Sequence, residues 1–233
     1  MEAPRGQPLF GRRRSRALRQ EQKRLISGLL PQLRVTIPAS GRLDPAALLG
    51  AARVSTWLEI GFGGGEHLAA QAERHPEIGF IGSEVFENGI VKLLSEVERR
   101  YLANVRVFAD DARLLLPALP PASIDRVFIL FPDPWPKRRH HQRRIVSRET
   151  LDGLAEIMID EAELRVSTDE CDYLCWMLER VTDHPAFEWL ARRPGDWRER
   201  PQDWPPTRYE EKARMAGRSP TFLRMRRRPR LRG

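Results

Sequence analysis

The sequence predicts an α/β protein in which a mostly parallel sheet is covered by helices on both faces. Three observations carry that reading. Short apolar runs at 54–60, 78–84, 105–109, 124–131 and 162–167 alternate with segments of helical period. A Gly-rich turn, Gly61 to Gly65, stands between the first strand and the first helix of the series. The length, 233 residues, suits one core with tails.

In chain order, residues 1–50 hold a basic arm and an apolar patch around Leu29, Leu33, Val35 and Ile37, broken by Pro31 and Pro38. The arm has a helix-like second half without a strong amphipathic face, so it is expected to order on a partner. Residues 51–227 form the domain, and 228–233 a basic tail. Val54 to Ile60 is a strand, Glu66 to Arg74 a helix, Ile78 to Glu84 a strand and Asn88 to Tyr101 a helix. Val105 to Ala109 and Ile124 to Phe131 are strands. Ser147 caps a helix over 147–160, with Leu151, Leu154, Ala155 and Met158 at helical spacing. Ala162 to Ser167 is a strand, and Glu170 to Val181 a helix with Tyr173, Met177 and Val181 on one stripe. Cys171 and Cys175, beside Leu174 and Leu178, read as small core residues without metal or redox role. Residues 192–206 carry four of the 19 prolines and read as a long surface loop. A short helix over 207–216 and a last strand over 221–227, at the sheet edge, complete the chain.

The net charge of +8 is unevenly placed. Residues 1–24, 137–148 and 224–233 together carry +18, so the rest of the chain is net −10. Three basic blocks on an acidic body make an electrostatic footprint for a polyanion. No apolar run approaches the length of a membrane helix, and the Arg-rich amino terminus lacks the apolar centre of a signal peptide. A cytoplasmic protein without membrane association is therefore expected.

The middle block belongs to a distinctive stretch, FPDPWPKRRHHQRR at 131–144. It sets Asp133 between Pro132 and Pro134 at the carboxyl end of a strand, the edge where ligands of such sheets sit. A dense run of cations follows. An acid poised beside a cationic loop points to chemistry on a nucleic acid.

The glycine turn lets a ligand approach the backbone closely at Gly61, and fits a dinucleotide or S-adenosylmethionine. Glu66 separates the two, because it stands where a dinucleotide fingerprint wants its third glycine and would face a pyrophosphate. A sulfonium and an ammonium favour acids instead. Glu84, ending the second strand, could accept both ribose hydroxyls, and Asp111, after the third, could reach an adenine amino group.

On the segments LEIGFGGGEHL, IGSEVFENGI, DDA, FPDPWPKRRHHQRRI, STDECDY and TRYEEKA, from about Phe10 to about Arg226, the sequence resembles the bacterial tRNA (guanine-N7)-methyltransferase family. The resemblance implies a Rossmann-like S-adenosylmethionine-dependent methyltransferase fold: a mostly parallel seven-stranded sheet with an antiparallel last strand. It implies methyl transfer to nitrogen 7 of a guanosine in the tRNA variable loop. By motif, Glu59, Glu84, Asp111 and Asp133 would contact the cofactor, with Asp133 also the catalytic position. Lys137, Asp169 and Thr207, Arg208, Tyr209 and Glu210 would contact substrate. Arg139, His140, His141, Gln142, Arg143 and Arg144 would lie against the RNA. The chain departs from the family at Asp160-Glu161-Ala162, where members usually carry a Gly-Gly turn.

Nitrogen 7 has an in-plane lone pair and no proton to lose, so no general base is required. The expected work is positioning and accommodation of charge, shared among Asp133, Asp169 and Glu210. Lys137 and the arginines would clamp phosphates. Trp135 could stack on a base or pack in the core. The five histidines show no ligand spacing, so no metal is expected, and no obligatory protein partner. The rivals are a non-enzymatic tRNA-binding or chaperone protein on the same scaffold and a metal-dependent nuclease. Nearer is a methyltransferase acting on another RNA, or an aminopropyl transferase, whose cationic polyamine substrate the Arg-rich loop and termini disfavour.

Overall fold

A computed structural model describes residues 17–50 and 53–230. Most of the predicted amino-terminal arm and the end of the carboxyl-terminal tail lie outside the described residues.

Seven strands form one sheet: β1 Ser55–Ile60, β2 Ile78–Ser83, β3 Val105–Phe108, β4 Ile124–Leu130, β5 Met158–Thr168, β6 Phe187–Trp189 and β7 Thr221–Arg227. Their order is β3-β2-β1-β4-β5-β7-β6. β1 pairs in parallel with both β2 and β4, so the winding reverses between β1 and β4 and opens a crevice at their carboxyl ends. β7 runs antiparallel to β5 and to β6. The last strand therefore does not take the sheet edge, as the sequence suggested. It fills a slot between β5 and β6, and the three-residue β6, too short to show a period, forms the edge.

The helices are α1 Gln20–Arg24, α2 Leu30–Leu33, α3 Pro45–Leu49, α4 Glu66–Arg74, α5 Glu87–Arg100, α6 Ala112–Leu115, α7 Arg148–Ile157, α8 Cys171–Thr182, α9 Gly195–Arg198 and α10 Arg208–Met215. Among the described residues, none is long and apolar enough to cross a membrane. Alternation along each strand divides the core into two layers. Leu58, Val127 and Ile129 face Leu151, Leu154 and Met177. Trp57, Phe80 and Phe128 face Leu68, Leu93 and Leu94 on the other side.

Four expectations change. α1 and α2 are joined by a π-helical turn, Leu25–Leu29, in which the Leu30 N–H reaches back to Leu25 O. Pro31, which has no N–H to donate, follows at once. Leu25, Leu30 and Leu33 are buried, and Arg24 pairs with Glu98 of α5 at 2.6 Å, so this end of the arm packs on the domain. α7 ends at Ile157 and passes directly into β5, and Glu161 takes a left-handed φ of 66° at a register shift inside that strand, where the sequence suggested a turn. Cys171 and Cys175 are exposed, because the core side of α8 is the Tyr173, Met177 and Val181 stripe. Within the expected surface loop, Trp204 is buried to 2% exposure, in edge contact with Phe222.

Candidate cofactor and substrate site

A cavity of about 360 Å³ opens at the crevice between the ends of β1 and β4. Its floor is the turn from β1 to α4, where Gly61, Gly63 and Gly65 all take positive φ. α5 comes so close that a Cβ on Gly89 would lie 2.2 Å from Gly63 O. The turn is thus held open by conformations and contacts that only glycine accepts.

Glu84 follows β2 and is buried. Its carboxylate accepts from the backbone N–H groups of Val85 at 2.7 Å, Phe86 at 2.9 Å and Gly63 at 2.8 Å. Burial nevertheless raises its pKa against those donors, with the charge of Asp133 adding to the rise. With three of about four lone-pair sites taken, Glu84 has room for one further donor, and a second ribose hydroxyl would have to displace the Gly63 N–H.

Asp111 caps α6, accepting from Arg113 N at 3.0 Å. Its neighbour Asp110 receives the Asp111 N–H at 2.9 Å and accepts at its carbonyl from Ser83 Oγ, also at 2.9 Å. Both aspartates line the cavity, and so does Arg113, which pairs with Asp111 at 3.4 Å.

Asp133 stands at the cavity lip and makes no hydrogen bond or ion pair among the described residues. Phe131 and Trp135, on either side of the two prolines, have φ of 50° and 44°. Such left-handed residues cost about 1 to 3 kcal/mol each, and so mark a loop fixed by its surroundings. The Phe131 N–H is held by Ser167 O at 2.9 Å. The surrounding protein raises the Asp133 pKa by desolvation although the carboxyl group is reached by solvent. That combination fits an acid waiting for a cationic or hydrogen-bond-donating ligand.

The cationic segment forms a 3-10 turn at Arg138–Arg143. Lys137, Arg139 and Gln142 are exposed. His140 packs edge-on to Trp135, and its pKa is lowered by desolvation and by the charges of Arg143, Arg139 and Lys137. His141 packs against Trp176 with ring centroids 5.3 Å apart. Arg143 lies over the Trp135 ring at 5.0 Å. Trp135 lines the cavity instead of joining the core, which favours the stacking role over the packing role.

Arg144 corrects the sequence reading. It was expected against RNA, yet it is 1% exposed, with its guanidinium 4.9 Å from the ring centroids of both Tyr173 and Trp176. Its Nε donates to Pro134 O and its Nη2 pairs with Asp172, and its burial keeps it away from a phosphate.

Glu59 is also placed differently. It is buried, and its carboxylate meets His67 Nδ1 of α4 at 2.7 Å, on the layer behind the glycine turn; it does not line the cavity. Asp169 pairs with Arg218 at 2.6 Å. Thr207 caps α10 by accepting from Glu210 N, and Arg208 stands 3.9 Å from Glu66. Glu210 is buried between Arg200, at 3.2 Å, and Arg214, at 3.0 Å. Of the three acids expected to share the guanine, only Asp133 reaches the cavity with its carboxylate uncommitted. Tyr209 lines the cavity from α10.

Sequence reasoning missed Asp110 and Arg113 as cavity residues and placed Tyr209 with the substrate alone. The first was visible in the doubled acid of DDA. The other two follow from packing that no local pattern encodes.

The cavity suits S-adenosylmethionine. Carboxylates at the ends of β2, β3 and β4 match a cationic donor, the left-handed glycines admit it to the backbone, and the Glu66 carboxylate at the start of α4 disfavours a phosphate there. Among the described residues, no group of three His, Cys, Asp or Glu side chains could hold a metal ion. Sheet order and site together define a Rossmann-like, S-adenosylmethionine-dependent methyltransferase.

Comparisons with known proteins narrow the class. Residues 53–223 match a family described as "Putative methyltransferase". The chain is 51% identical over 226 residues to the tRNA (guanine-N(7)-)-methyltransferase of Rhodospirillum rubrum, covering 95% of this chain and 88% of that one. It is 53% identical over 223 residues to the protein of the same name from Paramagnetospirillum magneticum, covering 95% and 93%. The protein belongs to the tRNA (guanine-N(7)-)-methyltransferase family. Among solved structures, the 16S rRNA methyltransferase KamB superimposes with a TM-score of 0.58, covering 82% of this chain and 96% of that one; at 15% identity it supports the fold alone.

Proposed function

We propose that the protein transfers a methyl group from S-adenosylmethionine to nitrogen 7 of a guanosine in the variable loop of tRNA. The observation that carries this reading is Asp133, an uncommitted carboxylate fixed between two left-handed residues at the lip of an acid-lined cavity.

When bound, the cofactor supplies an electrophilic methyl group on a sulfonium. Glu84 and Asp111 offer acceptors for hydroxyl and amino donors, and Gly61 and Gly63 let the ligand lie against the backbone. Asp133 accepts from the ring imino and amino groups of guanine and so orients the base. The purine gains positive charge as nitrogen 7 takes the methyl group, and the same carboxylate stabilises it. No proton leaves nitrogen 7, so Asp133 need not act as a base. Arg143 and Trp135 offer a stacked platform for an unstacked base, and Lys137 and Arg139 offer charge to flanking phosphates.

The test is incubation with labelled S-adenosylmethionine and unmodified tRNA, followed by reductive strand scission, which is selective for 7-methylguanosine. Scission at a variable-loop guanosine is the expected result, and label on any other atom overturns the reading. Asp133→Ala is expected to retain tRNA affinity and lose turnover.

A further inference from the structure

The resemblance assigns Thr207 to Glu210 to the substrate. We infer that Tyr209 within that segment is a cofactor residue: its ring is the aromatic wall against which the cationic sulfur of the methyl donor rests. The inference builds on the methyltransferase reading and adds a recognition element to its site.

Tyr209 is placed by constraints on both sides. Thr207 caps α10 on one side of it, and Glu210 on the other is locked by Arg200 and Arg214. Its phenolic edge lies on the glycine turn. A Cβ added to Gly63 would stand 3.0 Å from Tyr209 Cε2 and 3.2 Å from its hydroxyl oxygen. Gly63 therefore serves two contacts at once, since its N–H bonds Glu84 while its bare α-carbon receives the tyrosine ring.

The ring shares the cavity with Glu84, Asp110, Asp111 and Asp133. A site with this much negative charge attracts a cation, and an aromatic ring there adds attraction to a cation without adding charge. The environment keeps the phenol neutral: burial raises its pKa, and the charges of Glu84, Glu66 and Asp133 raise it further. The ring already receives one cation, the Lys212 ammonium 5.9 Å from its centroid. Tyr209 is 48% exposed with the cavity open, so an occupant would cover aromatic surface that solvent now wets. α10 thus belongs to both sites, and a segment expected to touch tRNA also closes on the donor.

The experiment compares two ligands that differ in the charge on sulfur. S-adenosylmethionine is a sulfonium, and S-adenosylhomocysteine is the neutral thioether that demethylation leaves. Their dissociation constants are measured by calorimetry, without tRNA, for the wild type, Tyr209→Phe and Tyr209→Ala. Tyr209→Phe keeps the ring and is expected to keep the wild-type ratio of the two affinities. Tyr209→Ala is expected to weaken S-adenosylmethionine by about three- to tenfold more than S-adenosylhomocysteine. An equal loss for both ligands would make Tyr209 a packing residue only, and no loss would remove it from the site; either result overturns the inference. A wild type that binds neither ligand would instead overturn the methyltransferase reading itself.

Discussion

Arg144 Nε donates to the carbonyl oxygen of Pro134 at 2.8 Å from beneath the loop that carries Asp133. The arginine is fixed by Tyr173, Trp176 and Asp172 of α8, so the backbone beside the candidate catalytic acid is tied to a helix in the core layer. Arg143, one residue earlier, lines the cavity and lies over Trp135. Two adjacent arginines thus do different work, one holding the loop and one facing the cavity.

Arg144→Ala should destabilise the protein by about 2 to 4 kcal/mol, because Pro134 O loses its donor and two aromatic rings lose their partner. For a domain of this size that is a fall of roughly 5 to 15 °C in Tm. Arg143→Ala should lower Tm less than Arg144→Ala does and weaken tRNA binding, with the salt dependence flattened by about 0.7 to 0.9 log units if one phosphate contact is lost. Thermal melts and a salt titration separate the two. Equal Tm values for both variants would refute the division of roles.

Asp133 costs the unliganded protein stability. Its pKa in the folded state is raised, so the fold holds a proton that the unfolded chain releases, and stability falls as pH rises from the ordinary carboxylate value through the raised one. Asp133→Asn should therefore melt above wild type at neutral pH while losing turnover. The difference should vanish in acid, below the ordinary carboxylate pKa, where both states are protonated. Melting curves across that range, without cofactor, supply the check.

A cationic ligand favours the ionised forms of Glu84 and Asp133, so binding should release protons. Affinity for S-adenosylmethionine should weaken as pH falls through the raised pKa values and level off above them. Calorimetry in buffers of different ionisation enthalpy reads the proton release directly. A pH-independent affinity would mean that these two acids do not face the cation.

Much of this was legible in the sequence where one local pattern sufficed. Strand and helix alternation, the glycine turn, and Glu84, Asp111 and Asp133 at strand ends all follow from period and spacing. What was not legible depended on tertiary partners. Arg143 and Arg144 are chemically alike in a run of cations, and only the location of Tyr173 and Trp176 decides which turns inward. Glu59 sits in the motif as expected, but His67, the second residue of α4, claims its carboxylate. Cys171 and Cys175 share the helical spacing of Tyr173 and Met177, and a spacing argument alone could not choose the buried side.

Trp204 anchors the segment that leads into α10. It lies against Phe222, while Asp203 beside it pairs with the buried Arg165 at 2.7 Å and its carbonyl accepts from Gln71 at 2.8 Å. Trp204→Ala should cost about 3 to 5 kcal/mol, and Trp204→Phe much less. If the anchor positions α10, Trp204→Phe at a temperature where it is fully folded should raise KM for tRNA more than it lowers kcat. Unchanged KM would make the residue purely structural.

Glu161 holds a left-handed φ of 66°, and its exposed pair with Arg226 at 3.3 Å offsets little of that strain. Glu161→Gly should raise stability by up to about 1 kcal/mol, a gain of roughly 2 to 4 °C in Tm. A fall in Tm would show that the ion pair outweighs the backbone.

The position of β7 has a consequence for biosynthesis. The strand that bridges β5 and β6 is made after both of them, so on the ribosome the open side of β5 has no mate until residues 221–227 have emerged. Until then the nascent chain carries an unsatisfied edge of Leu164 and Val166, a template for pairing with another copy. A premature stop between Glu210 and Thr221 would thus release an aggregating polypeptide even though every cavity residue named above had already been translated.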